Sequence, residues 1–323
     1  MTAESIPSVS IVIPNWNGLA FLGRCLSATM MSAQASGASW EIIVIDDCST
    51  DGAPMQLSKE YPNIRWEFND INLGFDATVN KGASLAKGKY LVLLNNDLIP
   101  QEPLIGELVR PMMENENVFG VSGKTIDWDN HEPNHLNMFA AFGDNGFQLM
   151  YEDSENCCPT MFVQGGCGAF HREHFLRFGG FWNGFAPGYW EDYDISYLAM
   201  KSGLTNLYNP KAQAYHFGQG SMNRAHGSER ILAVRERNRL SFLWLNLTSR
   251  KLLDKELSLL PGRIAKSLVR YSDVRKRSYI KGALQAFGLR KSIQTERQRR
   301  QAFWRISDEE IFRRFVGRGT PSA

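Results

Sequence analysis

Cysteine is scarce in this sequence, and the few cysteines show no regular spacing. There are five of them among 323 residues, and no two form a Cys-x-x-Cys pair. A disulfide scaffold needs paired cysteines at regular intervals, and a zinc site needs closely spaced thiol ligands. The sequence therefore predicts small buried thiols in a reducing compartment, without disulfides or structural zinc.

Long apolar runs are also missing from the chain. No window of about 18 residues is both apolar and uncharged, so we expect no transmembrane helix. Residues 1–8 contain neither a basic segment nor an apolar core, which predicts that no secretory signal is present. We expect a cytoplasmic protein, with peripheral attachment to the inner face of the cell membrane as a further option.

The first predicted strand is not followed by a glycine-rich phosphate loop. The strand runs from Val9 to Ile13, ends at Pro14 and leads into Asn15-Trp16-Asn17-Gly18. The dinucleotide fingerprint G-x-G-x-x-G is absent at this point, which excludes a dinucleotide-binding fold. This turn also has no Lys or Arg, although a nucleotidyltransferase is expected to have basic residues there.

The net charge of +2 conceals two regions of opposite sign. From Arg224 to the end, 24 Lys and Arg stand against 9 Asp and Glu, whereas the first 223 residues contain 12 and 25. An acidic region is suited to binding cations, and a basic region to binding anions. We expect a main domain over residues 1–240 and a basic helical region over residues 241–323.

Short apolar strands alternate with helical segments over the first half of the chain. Glu41 to Ile45 and Tyr90 to Leu94 are apolar runs of strand length, like Val9 to Ile13. The segments between them have apolar residues at helical spacing. This order predicts an α/β fold with right-handed crossovers and a mainly parallel sheet. By contrast, Thr125 to Glu155 is too polar for a firm prediction, and we expect an irregular excursion over the surface.

Polar residues follow three of the predicted strands at the point where each strand ends. They are Asp46-Asp47, Asn95-Asn96-Asp97 and His216. Each cluster alone is typical of turns and helix caps. Because ligands bind open α/β sheets beyond the carboxyl ends of the strands, the three together indicate a binding site. Carboxylates suit Mg²⁺ or Mn²⁺, and an imidazole ligand favours Mn²⁺.

An acidic and aromatic stretch, Gly188-Tyr189-Trp190-Glu191-Asp192-Tyr193-Asp194, precedes a predicted helix. One interpretation is an acidic first turn, which the helix dipole favours. The other is a general base, since burial among aromatic rings raises a carboxyl pKa towards working pH. Isolated histidines are less informative: His131 and His135 are four residues apart, but the Pro- and Asn-rich context argues against a shared helix face.

These motifs occur in an order that resembles the family 2 glycosyltransferases of GT-A fold. The resemblance covers about Ser8 to Ser221 and is greatest to the branch that includes bacterial rhamnosyltransferases. The motifs that support it are the turn after Ile13, Asp46 to Gly52, Asn72-Leu73-Gly74-Phe75, Asn95-Asn96-Asp97 and Trp190 to Asp194. The resemblance implies the GT-A fold for the main domain.

The resemblance also implies roles for individual residues. Asp192 would be the catalytic base, with Glu191 orienting the acceptor. Asp97 would bind a Mg²⁺ or Mn²⁺ ion that bridges the donor diphosphate, and His216 would approach the same ion. The family usually has a second acidic residue in this metal motif, and Asn96 replaces it here. The implied nucleotide-binding residues are Pro14, Asn15, Asn17, Asp47, Gly74 and Asn96, and the implied acceptor-side residues are Gly165, Gly166 and Trp190.

The expected function is inverting transfer of a sugar from a nucleoside-diphosphate sugar to a hydroxyl group. The resemblance suggests dTDP-rhamnose or a UDP-sugar as donor, and a glycan or lipid-linked acceptor in cell-surface polysaccharide assembly. The alternatives are a sugar-phosphate nucleotidyltransferase and a non-catalytic sugar-nucleotide-binding protein. Nucleic-acid binding is not expected, because the basic region contains no recognisable module.

The basic region has apolar residues at helical spacing between its charges. Leu259, Leu260, Ile264, Leu268 and Tyr271 alternate with basic residues, as in helices that bind anionic membranes. The same periodicity is typical of a helix that packs on the main domain or on a second copy of the chain. The sequence leaves membrane binding, internal packing and a homodimer open.

Overall fold

The structure, a computed structural model, describes residues 8–217, 228–318 and 320–321. His226 and the basic residue Arg224 lie outside the described residues. The strands are β1 Val9–Asn15, β2 Trp40–Asp46, β3 Arg65–Phe68, β4 Tyr90–Leu94, β5 Leu98–Pro100, β6 Val118–Asp127, β7 Pro133–His135, β8 Asn137–Gly143, β9 Gly146–Glu152, β10 Cys158–Thr160, β11 Cys167–His171, β12 Thr205–His216 and β13 Thr320–Pro321. The helices are α1 Leu22–Ala35, α2 Ala53–Glu60, α3 Phe75–Leu85, α4 Leu104–Glu114, α5 Arg172–Phe178, α6 Glu191–Lys201, α7 Ser228–Asn246, α8 Arg250–Val269, α9 Val274–Gly288, α10 Arg290–Arg300 and α11 Asp308–Arg313.

The first half of the chain forms the parallel part of a large sheet. Strands β3, β2, β1 and β4 lie side by side in this order, all parallel. The register aligns Asn15 at the end of β1 with Asp46 at the end of β2. Both faces of β1 are buried because helices cover both sides, as its uninterrupted apolar sequence predicts. The predicted α/β fold is confirmed.

The second half of the sheet reverses direction at β11. This strand is antiparallel to both β4 and β6, and β6 then pairs in parallel with β12. The reversal puts the ends of β4 and β12 at the same edge, where Phe217 donates a backbone hydrogen bond to Asp97 at 3.1 Å. Two of the polar clusters predicted from the sequence therefore meet there.

The segment from Thr125 to Glu155, expected to be irregular, contains an ordered hairpin. Strands β8 and β9 pair antiparallel in full register from Asn137 with Glu152 to Gly143 with Gly146. Phe139 and Phe147 are buried in a core shared with α6 and the C-terminal helices. The sequence of this segment is rich in polar residues, and the apolar surface that covers the hairpin comes from distant segments. The local sequence therefore did not predict these strands.

The C-terminal helices pack against the main domain through apolar side chains at both ends of the region, whereas the predicted stripe of α8 is only partly buried. This burial supports internal packing as the role of these side chains. Helix α7 runs continuously across residues 240 and 241, so the proposed domain boundary, which stays a prediction, lies within a helix. The buried apolar residues of this region include Phe242, Leu243, Leu245, Leu247, Ile311 and Phe315.

None of the helices in the described ranges combines the length and apolarity needed to cross a bilayer.

Candidate active site

A cleft of about 630 Å³ opens at the carboxyl edge of the sheet. It is bounded by the ends of β1, β4 and β12 on one side and by the start of α6 on the other. The structure brings eleven of the sequence-predicted residues into its lining: Pro14, Asn15, Asp47, Gly74, Asn96, Asp97, Gly166, Trp190, Glu191, Asp192 and His216. Segments almost 200 residues apart in the sequence therefore meet at one site.

A chain of amide hydrogen bonds fixes the ends of β1 and β4. Asn15 donates from Nδ2 to Asp46 Oδ1 at 2.7 Å and accepts at Oδ1 from Asn96 Nδ2 at 2.8 Å. Both Asn15 and Asp46 are buried, so these bonds are shielded from water. Asn15 and Asn96 thus form a rigid part of the cleft floor, next to Asp97.

Asp47 lines the cleft and also holds the loop that follows β3. Its Oδ1 accepts hydrogen bonds from Asn69 Nδ2 and the Leu73 amide, and its Oδ2 accepts one from the Gly74 amide, all at 2.8 Å. A carboxylate has about four acceptor positions, so one remains for a ligand. Gly74 has φ +83°, a conformation that favours glycine.

Asn17 and Gly165 are not among the residues that line the cleft, and their nucleotide and acceptor contacts stay predictions. Asn17 accepts a hydrogen bond at Oδ1 from the Thr50 amide at 2.8 Å, so it joins the loops after β1 and β2. Gly165 donates its amide to Asp192 Oδ2 at 3.0 Å. Asn17 thus joins two loops next to the site, and Gly165 holds the carboxylate of Asp192.

Asp97 and His216 form a pair with room for a third partner. His216 Nε2 lies 3.4 Å from Asp97 Oδ2, and Asn134 Nδ2 contacts its Nδ1 at 3.3 Å. Asp97 Oδ1 is buried and has no hydrogen-bond partner among the described residues. Burial lowers the pKa of His216, but the adjacent Asp97 more than offsets this and leaves it above its usual value.

This donor set fits a divalent ion that a ligand must help to hold. One carboxylate oxygen without a partner and one imidazole are suitable ligands for Mn²⁺. Among the described residues, no three His, Cys, Asp or Glu side chains form a metal site on their own. A diphosphate would therefore supply the remaining oxygen ligands, as is common for Mg²⁺ and Mn²⁺ sites.

His135 is a cleft residue that sequence reasoning set aside. It lies on β7, which pairs with β6 and not with a helix, and this pairing brings the imidazole into the cleft near His216. Its Nε2 is buried without a partner in the described part of the chain. Burial, with a smaller effect of His216, lowers its pKa to about 4, so this ring is neutral at pH 7. No local sequence signal marks this position.

The carboxylate of Asp192 is held by two backbone amides at the start of α6. Its Oδ2 accepts from Gly165 and its Oδ1 from Tyr193 at 2.8 Å. Burial raises its pKa to about 6, although these hydrogen bonds to the charged form oppose the increase. A carboxyl group with this pKa is largely ionised at neutral pH and accepts a proton readily.

Two further carboxyl groups near Asp192 are buried, and burial favours their protonated forms. Burial, together with the charge of Asp76, raises the pKa of Glu191 well above its usual value. Burial, together with the charge of Asp192, raises the pKa of Asp76 to about 8. Asp192 is therefore the carboxyl group of this cluster that is ready to act as a base at pH 7.

The backbone before α6 is strained and is held by α7. Tyr189 and Trp190 have φ of +72° and +79°, which is unfavourable for large side chains. Asn238 donates from Nδ2 to the carbonyls of Gly188 and Tyr189 at 2.9 and 2.8 Å. The same nitrogen donates to Phe185 O at 2.7 Å. The buried amide of Asn238 on α7 thus positions the segment that presents Asp192. No local sequence signal indicated this role of Asn238.

The fold and the cleft together define a nucleotide-diphospho-sugar transferase fold of the GT-A type. The structure is similar to that of the mannosyltransferase PcManGT from Pyrobaculum calidifontis in complex with GDP-Man and Mn²⁺. The TM-score is 0.55 at 14% identity, and the similarity covers 87% of each chain.

The chain belongs to glycosyl transferase family 2, whose family model matches residues 10–178. This confirms the family suggested by the sequence, whereas the rhamnosyltransferase-like branch stays a prediction. The chain is 32% identical over 94 residues to WcaA of Escherichia coli, named as a colanic acid biosynthesis glycosyl transferase, covering 28% of this chain and 33% of that protein.

A second relative is the undecaprenyl-phosphate 4-deoxy-4-formamido-L-arabinose transferase of Salmonella paratyphi B. It is 30% identical over 122 residues, which cover 36% of this chain and 37% of that protein. The matches thus span about a third of the length of each of these two relatives.

Proposed function

We propose that the protein transfers a sugar from a nucleoside-diphosphate sugar to a hydroxyl group, with inversion at the anomeric carbon. The observation that supports this most directly is that one cleft contains both Asp97, with its unpartnered oxygen, and Asp192, with its raised pKa. Asp97 is suited to binding a metal-bound diphosphate, and Asp192 is suited to deprotonating an acceptor hydroxyl group.

In the proposed mechanism, Asp97 and His216 would hold a divalent ion, which would supply positive charge to neutralise the departing diphosphate. Asn15 and Asn96 keep the cleft floor rigid beneath the donor. Asp192 accepts the proton of the acceptor hydroxyl group while the hydroxyl oxygen attacks the anomeric carbon of the donor sugar. The Gly165 and Tyr193 amides hold the carboxylate in place, which limits reorganisation during the reaction.

A single displacement fits the protonation states of the acidic cluster. A double displacement with retention would need a second ionised carboxylate as nucleophile. Burial raises the pKa of Asp76 to about 8 and that of Glu191 well above its usual value, which favours the neutral form of both groups. The cleft thus offers one base on the acceptor side, as expected for inversion.

Nucleotidyl transfer is a less suitable function for this cleft. That reaction develops negative charge at the phosphate next to the nucleoside, where basic side chains are expected. Within the described part of the chain, the cleft lining includes one basic residue with a permanent charge, Arg235, and none on the loop after β1. A non-catalytic binding protein would not need the raised pKa of Asp192.

We propose a role in cell-surface polysaccharide assembly, with dTDP-rhamnose or a UDP-sugar as donor and a glycan or lipid-linked acceptor. The names of the relatives support it: one refers to colanic acid biosynthesis, and another to undecaprenyl phosphate, a lipid phosphate. The solved neighbour binds GDP-Man with Mn²⁺, which supports a metal-bound nucleotide donor. A cytoplasmic location fits a reaction that uses these donors.

We further propose that the turn between α8 and α9 binds an anionic membrane surface. Leu268, Val269 and Tyr271 remain 59%, 86% and 48% exposed there, unlike Leu260 earlier in α8, which is buried. Arg270 and Arg275 are exposed beside them. Exposed apolar side chains among arginines are suited to the interface of an anionic bilayer, where a lipid-linked acceptor would lie.

Protection from thermal unfolding tests the proposed donor class without knowledge of the acceptor. UDP, GDP and dTDP are added to the full chain with and without MnCl₂. We expect at least one to raise the unfolding temperature, and the increase to require the metal, because binding to the native state stabilises it. Absence of protection by every nucleotide, with metal present, would contradict the proposed function.

A further inference from the structure

Arg235 extends from α7 into the lining of the cleft, on the side of Asp192. It is an exposed side chain and makes no hydrogen bond or ion pair with a described residue. Its guanidinium lies 5.1 Å from the centroid of the Tyr189 ring, a cation–π contact that leaves the hydrogen-bond donors of the guanidinium available. Arg235 lies outside the region matched by the family model, which ends at residue 178.

Tyr189 and Tyr193 line the cleft together with Arg235, and Tyr151 lies within electrostatic range of them. Burial raises the pKa of Tyr151 and Tyr189, and the positive charge of Arg235 opposes the increase in both. Tyr151, on β9, is also influenced by the charge of Asp192, so it lies within electrostatic range of both groups. Tyr193 is influenced by the same two charges. The space next to the base is therefore lined by aromatic rings and contains one available positive charge.

We propose that the acceptor has an anionic group, a phosphate or a carboxylate, close to the sugar ring that presents the attacking hydroxyl, and that Arg235 binds it. This inference rests on the proposed function, since it assigns the substrate class of the same cleft. Aromatic rings pack against sugar rings, and a planar guanidinium binds phosphate or carboxylate with paired hydrogen bonds. Burial favours the neutral forms of Glu191 and Asp76, which reduces their repulsion of such a ligand.

Binding of three small sugars of similar ring structure tests the proposal. Glucose 1-phosphate, methyl glucuronide and the neutral methyl glucoside are titrated into the full chain by calorimetry, with MnCl₂ and saturating nucleoside diphosphate to fill the donor side. We expect at least one anionic sugar to bind about tenfold more tightly than methyl glucoside. The phosphate and the glucuronide distinguish a lipid-phosphate type of acceptor from a uronic-acid type.

Two variants separate Arg235 from general attraction to a basic surface. Arg235→Gln should abolish the preference for the anionic sugar, and Arg235→Lys should retain part of it. Arg250→Gln removes an exposed arginine of α8 that pairs with Asp254, and should leave the preference unchanged. Equal binding of the three sugars to the wild type, or a preference that survives in Arg235→Gln, would overturn the proposal.

The donor measurement is independent of this outcome. If nucleoside diphosphates bind but the anionic preference is absent, only the Arg235 proposal fails. If no nucleotide protects the chain but the Arg235-dependent preference is present, the proposed function fails and an anion-binding site stands.

Discussion

At the scale of single residues, the site depends on the different pKa values that burial gives to three neighbouring carboxyl groups. Asp192 receives two amide hydrogen bonds and keeps a pKa of about 6, whereas burial raises that of Asp76 to about 8. Ionisation of one group makes ionisation of the next more difficult. The cluster thus presents one base at neutral pH.

The pH dependence of transfer follows from this arrangement. The base form of Asp192 is required, so kcat/KM should fall as pH decreases through about 6 and level off above it. Donor binding measured at the same pH values serves as a control, because protonation of His216 would weaken metal binding. A kcat/KM that stays constant well below pH 6, with donor binding intact, would contradict the role of Asp192.

The ends of β2 and β4 should contribute to different parts of the donor. Asp97→Ala should weaken binding of the nucleoside diphosphate and remove its metal dependence, with little effect on the nucleoside. Asp47→Asn should weaken binding of both ligands, because it acts on the nucleoside part. Asn is chosen at Asp47 because it keeps one acceptor oxygen and so retains part of the hydrogen bonding to the Leu73 and Gly74 amides. Calorimetric titration of each variant with the nucleoside and with the nucleoside diphosphate measures the two affinities. If Asp97→Ala weakened binding of both ligands equally, as Asp47→Asn is expected to do, this division of the donor between the two strand ends would be refuted.

Local sequence signals predicted the strand-end residues of the site but not the residues that come from distant segments. Asp47, Asp97 and Asp192 follow recognisable motifs, and the parallel topology brings such positions together. His135 and Asn238 act through tertiary contacts, which no local period or spacing reveals. Their roles depend on how β7 and α7 pack against the main domain.

At the scale of elements, two buried ion pairs join α6 to the C-terminal helices. Asp194 accepts hydrogen bonds from Arg300 at 2.6 and 2.7 Å, and Lys201 lies 2.8 Å from Asp308. All four side chains are at most 1% exposed. The acidic first turn of α6 therefore has two functions, since Asp192 faces the cleft and Asp194 faces α10.

Loss of one partner of these buried ion pairs should strongly lower the free energy of unfolding. Arg300→Met would leave Asp194 buried without its counter-charge, and we expect the free energy of unfolding to fall by about 3–5 kcal/mol. Arg314→Met removes an exposed pair with Glu310 and should cost less than about 1 kcal/mol. Urea unfolding followed by circular dichroism compares the two variants.

A further change shows whether the stranded charge is the cause. Adding Asp194→Asn to Arg300→Met should restore part of the lost stability. If Arg300→Met is no more destabilising than Arg314→Met, the C-terminal helices do not hold α6 in the way the structure indicates.

Helix and strand positions were predicted best where the sequence is periodic and local. Strands β1, β2 and β4 follow their apolar runs closely. The β8–β9 hairpin escaped prediction because its burial is provided by α6 and by helices from the other end of the chain. The apolar stripe of the C-terminal region was visible, but periodicity alone does not show which surface covers it.

At the scale of the whole molecule, the acidic main domain and the basic C-terminal region differ in what they leave exposed. The basic region buries apolar residues such as Phe242, Leu243 and Ile311, and exposes others at the α8–α9 turn. Each Lys or Arg near an anionic bilayer contributes about 1 kcal/mol, so a short basic turn is sufficient for weak binding.

Sedimentation with lipid vesicles tests this surface. The wild type should sediment with phosphatidylglycerol-containing vesicles at low salt, and less at high salt, because salt screens the attraction. Leu268→Ser with Val269→Asp should weaken binding. Met55→Asp, at a residue of α2 that is 72% exposed, is the matched control and should not. A wild type that does not sediment with anionic vesicles at low salt would contradict membrane binding.

The most direct test of the account is release of nucleoside diphosphate from a panel of UDP-, GDP- and dTDP-sugars, with MnCl₂ and a mixture of simple sugar acceptors. The wild type should release diphosphate from at least one donor class in a metal-dependent reaction. Asp192→Asn should bind that donor normally and react about 10²–10⁴-fold more slowly, because the base is lost. Near-normal turnover by Asp192→Asn, or no metal-dependent release from any donor by the wild type, would contradict the account.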